Sequence, residues 1–150
     1  MDHYNSEYNI LLIEDNLIDA KIVKKALLET DQSFNISVLG EGNNAIDYLL
    51  KNGKYSNAET PDLIILDLNL PTVNGDEVLT NIKTNEKTRR IPVVVLTLSD
   101  LTSDIKKSYS NHANCYVTKP VDFTEFVNTI KIIKNFWLNV VKLPPNLDYI

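Results

Sequence analysis

An α/β fold, a parallel sheet with helices on both faces, is the class this sequence predicts, and three observations carry it. Five short apolar runs alternate with stretches of helical periodicity. The first of them, Ile10–Ile13, is too apolar for a half-wet strand and reads as one covered on both faces. Four runs then end, at their C-terminal edge, in a polar residue. Tyr8–Ile13 leads into Glu14-Asp15, Leu63–Leu66 into Asp67, and Val93–Leu96 into Thr97. Tyr116–Val117, just before Thr118, leads to Lys119-Pro120, while Ile36–Leu39 ends in Gly40 and carries no such group. In an open parallel sheet those ends share one edge, where such folds bind ligands.

The elements follow in order. After the first strand, Ile18, Ile22, Val23, Ala26 and Leu27 recur at helical spacing, with Lys21, Lys24, Lys25 and Glu29 outward and Asn16 as N-cap. The short strand Ile36–Leu39 precedes a helix from about Asn43 to Leu50, ended by Gly53. Pro61-Asp62 opens the third strand, and Leu68–Gly75 is a loop rich in turn formers. A third helix carries Val78, Leu79 and Ile82. Pro92 starts the fourth strand, a fourth helix runs from about Leu101 to Asn111, and the fifth strand lies near Cys115–Thr118. The last helix is the longest, with a Phe126, Ile130, Ile133, Trp137 stripe flanked by Phe123 and Val127, and it ends near Val141 before Pro144-Pro145. Right-handed crossovers leave few arrangements. The flavodoxin-like (βα)5 doubly wound sheet, strand order 2-1-3-4-5, is the expected one, and it places Glu14, Asp15 and Asp67 together at the switch point.

Composition bounds the function. The 150 residues fit one domain, core about 8–141 with a tail 142–150, and 43% hydrophobic residues are ordinary for a globular chain. A net charge of −5 argues against a nucleic-acid-binding surface. The basic cluster Lys83–Arg90 reads as a solvated helix end. The single cysteine, Cys115, excludes an internal disulfide and reads as a buried small hydrophobe, and His3 and His112 as surface residues. No run approaches the roughly 18 residues of a membrane span, and Met1–Glu7 lacks a signal-peptide layout, so a cytoplasmic protein is expected.

Three carboxylates a few ångströms apart repel, so they require a cation or raised pKa values. An all-oxygen cluster suits Mg²⁺. Asp15 and Asp67 are the expected direct ligands, Glu14 a direct or water-mediated one, and the backbone carbonyl of Asn69 a further one. A carboxylate can also attack phosphorus, and phosphoryl transfer needs chiefly positioning and positive charge. Lys119 supplies that charge and Thr97 a hydroxyl donor. Taken singly, Glu14-Asp15 reads equally well as a strand-end turn with acids near a helix N-terminus.

Glu14-Asp15, Asp67-Leu68-Asn69-Leu70-Pro71 with Gly75, Thr97 and Lys119-Pro120 resemble, in order and spacing, the two-component response-regulator receiver domain. The resemblance covers essentially the whole chain. It implies a non-enzymatic signalling protein in which Asp67 accepts a phosphoryl group from a sensor histidine kinase. It also implies that Thr97 moves toward the phosphate while Tyr116 rotates inward, and that the Lys119–Pro120 peptide is cis. With no further output domain expected after Val141, the phosphorylated helix 4–strand 5–helix 5 surface is what partners would read.

Tyr48-Leu49 with Gly53-Lys54-Tyr55, His112–Tyr116, and Phe136-Trp137-Leu138 with Leu143-Pro144 are similar to stand-alone regulators paired with phytochrome-type kinases. That likeness implies a homodimer on the fourth and fifth helix–strand face. Leu98 departs from the family, which carries a small residue there, and is expected to narrow the approach to Asp67; Ser99, like Asn69, would tune the phosphate's lifetime. Rival readings are weaker. A haloacid-dehalogenase-like phosphohydrolase needs a second Asp where Asn69 stands. A flavin carrier needs a phosphate-cradling loop where Glu14-Asp15-Asn16-Leu17 stands. A receiver-like module that binds without phosphorylation is the remaining alternative.

Overall fold

The computed structural model describes residues 8–29 and 34–145. Five strands, β1 (Tyr8–Ile13), β2 (Phe34–Leu39), β3 (Leu63–Leu66), β4 (Val93–Thr97) and β5 (Cys115–Thr118), form one parallel sheet in the order β2-β1-β3-β4-β5. The helices are α1 (Leu17–Leu28), α2 (Gly42–Leu50), α3 (Gly75–Thr84), α4 (Thr102–Ser110) and α5 (Phe123–Asn135). This is the flavodoxin-like sheet expected, with its C-terminal helix. His3 and the tail beyond Pro145 lie outside the described residues.

Period-2 side chains split the core in two. Ile10, Leu12, Leu63, Ile65, Val94 and Leu96 face α1 and α5, while Leu11, Ile13, Ile64, Leu66, Val93 and Val95 face α2 and α3. Each fully buried Leu or Ile is worth roughly 1.5–3 kcal/mol, so Val78, Leu79 and Ile82 alone hold α3 firmly. By contrast α4 buries only Ser108. The loop before α3 is fastened to α2: the Gly42 N–H donates to the Pro71 carbonyl (3.3 Å) and the Thr72 hydroxyl to Asn43 Oδ1 (2.7 Å). A Cβ on Gly42 would lie 1.9 Å from the Val73 carbonyl oxygen, so only glycine permits this approach.

Four local expectations need correction. Lys51 (φ 58°), not Gly53, caps α2 in the left-handed region; Gly53 (φ 55°) instead opens a single 3₁₀ turn, Gly53–Tyr55. After Asn135 the last helix widens into a π turn, Phe136–Val140. The wider turn places Leu138 in the core beside the Phe126, Ile130, Ile133 stripe; Trp137 packs half-buried against that core and against Phe136, while Phe123 is exposed. Lys83 is not a solvated helix-end residue: its ammonium donates to the carbonyls of Arg89 (3.1 Å) and Ile91 (2.8 Å) and to Asn114 Oδ1 (3.0 Å). Burial pulls its pKa down to about 8. The fourth correction is Lys119–Pro120, whose peptide is trans. An X–Pro bond favours trans by roughly 0.5–1 kcal/mol, and the Lys119 backbone and ammonium reach their partners in that form.

Candidate functional site

Backbone ladder bonds carry Glu14, Asp67 and Lys119 one step past their strands. The Glu14 N–H donates to the Leu39 carbonyl (2.9 Å), the Asp67 N–H to Ile13 (3.0 Å) and the Lys119 N–H to Thr97 (2.7 Å). Because Ile13 pairs with Leu66, Glu14 and Asp67 emerge side by side. Gly75, the first residue of α3, packs on the backbone of Asp67 and Leu68. A Cβ there would lie 2.4 Å from the Asp67 carbonyl oxygen, so the Asp67 peptide requires glycine opposite it.

The side chains converge although they are polar and buried: Glu14 is 2% exposed, Asp67 6%, Thr97 0% and Lys119 4%. Lys119 Nζ lies 2.6 Å from Glu14 Oε1, 3.0 Å from Asp67 Oδ2 and 2.9 Å from Asp19 Oδ2. Asp67 Oδ1 accepts from the Asn69 N–H (3.2 Å), and Glu14 Oε2 from the Asn16 N–H (3.2 Å). Asp15 is exposed at the rim. Burial raises the Glu14 carboxyl to about 7, the Lys119 hydrogen bond opposing and the Asp67 charge reinforcing it. Burial pulls on the Lys119 ammonium too, but its hydrogen bonds to Asp19 and Glu14 and the charges of Asp67 and Glu14 outweigh it, so the group stays protonated.

Glu14, Asp15 and Asp67 offer oxygens within 4.8 Å of one another. At an effective dielectric of about 20, like charges at such separations repel by roughly 3–4 kcal/mol per pair. One ammonium does not neutralise that set, and the hard all-oxygen donors match Mg²⁺ or Mn²⁺. Thr97 Oγ1 is a buried polar atom with no hydrogen-bond partner among the described residues. A buried unpaired hydroxyl is costly, and at this edge it suits an incoming oxyanion.

Glu14, Asp15, Asp67 and Lys119 thus lie together, and Thr97 ends the strand next to β3. Leu98 follows Thr97 with its side chain 61% exposed. Half-buried Tyr116 packs on the α2–α3 side of the core, and its hydroxyl donates to the Ser99 carbonyl (2.8 Å). The Ser99 hydroxyl in turn donates to Asp104 Oδ2 (2.5 Å), tying the β4–α4 loop to α4. The residue that sequence reasoning missed is Asp19. Its signal was the Asn16-x-x-Asp19 spacing at a helix start, which reads as a capping pattern. Asn16 Oδ1 does accept from the Asp19 N–H (3.0 Å), but the Asp19 carboxylate points to Lys119 instead.

Similarity to known proteins agrees with this geometry. Residues 10–131 match the family model of the response regulator receiver domain. The chain is 41% identical over 143 residues to the response regulator Rcp1 of Synechocystis sp., covering 95% of this chain and 97% of that one. The crystal structure of the phosphorylated cyanobacterial phytochrome response regulator RcpA superposes with a TM-score of 0.91 at 41% identity, covering 93% of this chain and 99% of that one. The Mn²⁺-bound form of Rcp1 gives 0.90 at 40% identity, covering 92% and 99%. Among the described residues no helix is long and apolar enough to cross a membrane. The chain belongs to the response regulator receiver domains of two-component signalling, a family whose members are generally not enzymes, and is related to the phytochrome response regulators.

Proposed function

We propose that this protein is a phosphorylation-driven switch in which Asp67 accepts a phosphoryl group from a sensor histidine kinase of phytochrome type. The observation that carries the reading is that one sheet edge holds a buried carboxylate, a buried ammonium 3.0 Å away and a buried Thr97 hydroxyl without a partner among the described residues. An Asp67 carboxylate oxygen attacks phosphorus, the bond from phosphorus to the donor's imidazole nitrogen breaks, and that nitrogen keeps the electron pair. Lys119 and the Thr97 hydroxyl neutralise and bond the phosphoryl oxygens. Asp15, Asp67 and the Asn69 carbonyl would hold Mg²⁺, with Glu14 direct or through water. When bound, the ion supplies charge neutralisation between the carboxylates and the phosphoryl group.

Phosphorylation draws Thr97 inward. The Tyr116 hydroxyl leaves the Ser99 carbonyl, and the thinly packed α4 shifts. Ile132, Phe136 and Val140 are exposed at the end of the last helix and support a homodimer on that side. Leu98 slows loading by small donors, and Ser99 and Asn69 set the lifetime of the phosphoryl group. The mismatch of this acidic surface with nucleic acid leaves protein partners as the output.

Intact mass after incubation with Mg²⁺ and acetyl phosphate tests the reading, with Asp67→Asn as control. One added acid-stable, base-labile phosphoryl group absent from the control is expected. No gain in the unsubstituted chain or in Leu98→Ala, even with a phytochrome-type kinase as donor, would sink it in favour of a module that binds without phosphorylation.

A further inference from the structure

We propose that Asp19 is a positioning residue that draws the Lys119 ammonium aside when a divalent cation enters the acid cluster. The idea rests on the metal reading above. Lys119 Nζ touches three carboxylates, and two of them, Glu14 and Asp67, belong to the oxygen set that suits the cation. A cation and an ammonium on the same two carboxylates compete. Asp19 is the Lys119 partner outside that set, 2.9 Å from Nζ on the first turn of α1. Its placement has no other use among the described contacts. The reciprocal capping bond that an acid at this helix position often makes is absent, because the Asn16 N–H donates to Glu14 Oε2 instead. The carboxylate is thus committed to Lys119, and half-buried, where a charge-assisted bond is not screened away.

Two arrangements of the ammonium follow. Without the cation, Lys119 lies between all three acids and is the cluster's internal counterion. With it, Lys119 keeps Asp19 and slackens its hold on Glu14 and Asp67, and remains beside Asp67 to meet the phosphoryl oxygens. Asp19 acts through Lys119 and touches neither the cation nor phosphorus.

A double-mutant cycle on the full-length chain tests this, read by calorimetric Mg²⁺ affinity without any phosphodonor. Asp19→Asn retains the backbone N–H that Asn16 caps, so the helix start survives, and circular dichroism checks folding of every variant. Lys119→Met is expected to tighten Mg²⁺ binding. Asp19→Asn is expected to weaken it by about fivefold or more in the unsubstituted chain, yet by less than about twofold alongside Lys119→Met. Asp19→Glu should restore most of the affinity. Equal weakening in both backgrounds would mean that Asp19 is only one more negative charge, and would overturn the proposal. So would no weakening in the unsubstituted chain. Absence of Mg²⁺ binding to the unsubstituted chain would instead remove the metal reading and this proposal together.

Discussion

Asn114 and Lys119 flank β5, and the two ends of that strand treat polar groups in opposite ways. At the amino-terminal end, Asn114 Oδ1 accepts from the Val93 N–H (2.8 Å) and from Lys83, whose ammonium is otherwise spent on two neutral carbonyls. Nearby the Asn9 N–H and amide donate to Asp62 (2.8 Å) and Glu59 (2.9 Å). Each of these polar groups has a partner there. At the carboxyl-terminal end, one ammonium serves three carboxylates and a buried hydroxyl has no partner among the described residues. That imbalance suits a ligand that would complete it. One end of the sheet holds the fold together, and the other holds a site in readiness.

The contrast can be broken most severely at Gly75. Gly75→Ala would drive a Cβ into the Asp67 and Leu68 backbone, destabilising the protein by about 3 kcal/mol in urea unfolding and abolishing Mg²⁺ binding. Glu14 comes next. Its folded pKa of about 7 lies above the ordinary 4.5, so its stabilising contribution is full below about pH 4.5 and lost as pH rises through 7. In chelator, the stability of Glu14→Gln relative to the unsubstituted chain should therefore grow by on the order of 2–3 kcal/mol from pH 4.5 to pH 8. A pH-independent difference would contradict the charge imbalance, and Mg²⁺ should erase the slope.

At the amino-terminal end, Asn114→Ala strands the Val93 N–H and one bond of Lys83, and should cost about 2 kcal/mol while leaving Mg²⁺ affinity unchanged. The smallest stability effect belongs to Thr97→Val. Removing an unpaired buried hydroxyl should shift the unfolding free energy by less than about 1 kcal/mol, yet slow acetyl-phosphate loading measured by intact mass. A stability loss as large as that of Asn114→Ala would mean the hydroxyl is already bonded.

Much of this contrast was legible in the residues. Buried parallel strands must be apolar throughout, so the polar residue that ends each run stands out, and the strand order follows from connection rules. That logic located Glu14, Asp67, Thr97 and Lys119. Asp19 stayed hidden because an acid three residues after a capping Asn has a sufficient local explanation. The π turn stayed hidden for a related reason: Phe126, Ile130, Ile133 and Trp137 have good helical spacing, and only packing on the sheet selects Leu138 over Trp137. The partners of Lys83 are not legible either, since no local pattern announces that the carbonyls of Arg89 and Ile91 turn back toward it.

The fastening of the Pro71–Val73 segment to α2 has a mechanical consequence. With Gly42 against Val73 and Thr72 bonded to Asn43, that flank of the site is a fixed rail. The opposite flank is held by Tyr116 to Ser99 and by an α4 with one buried residue. A push originating at Asp67 meets a stiff wall on one side and a compliant one on the other, so displacement has a built-in direction, toward α4 and β5.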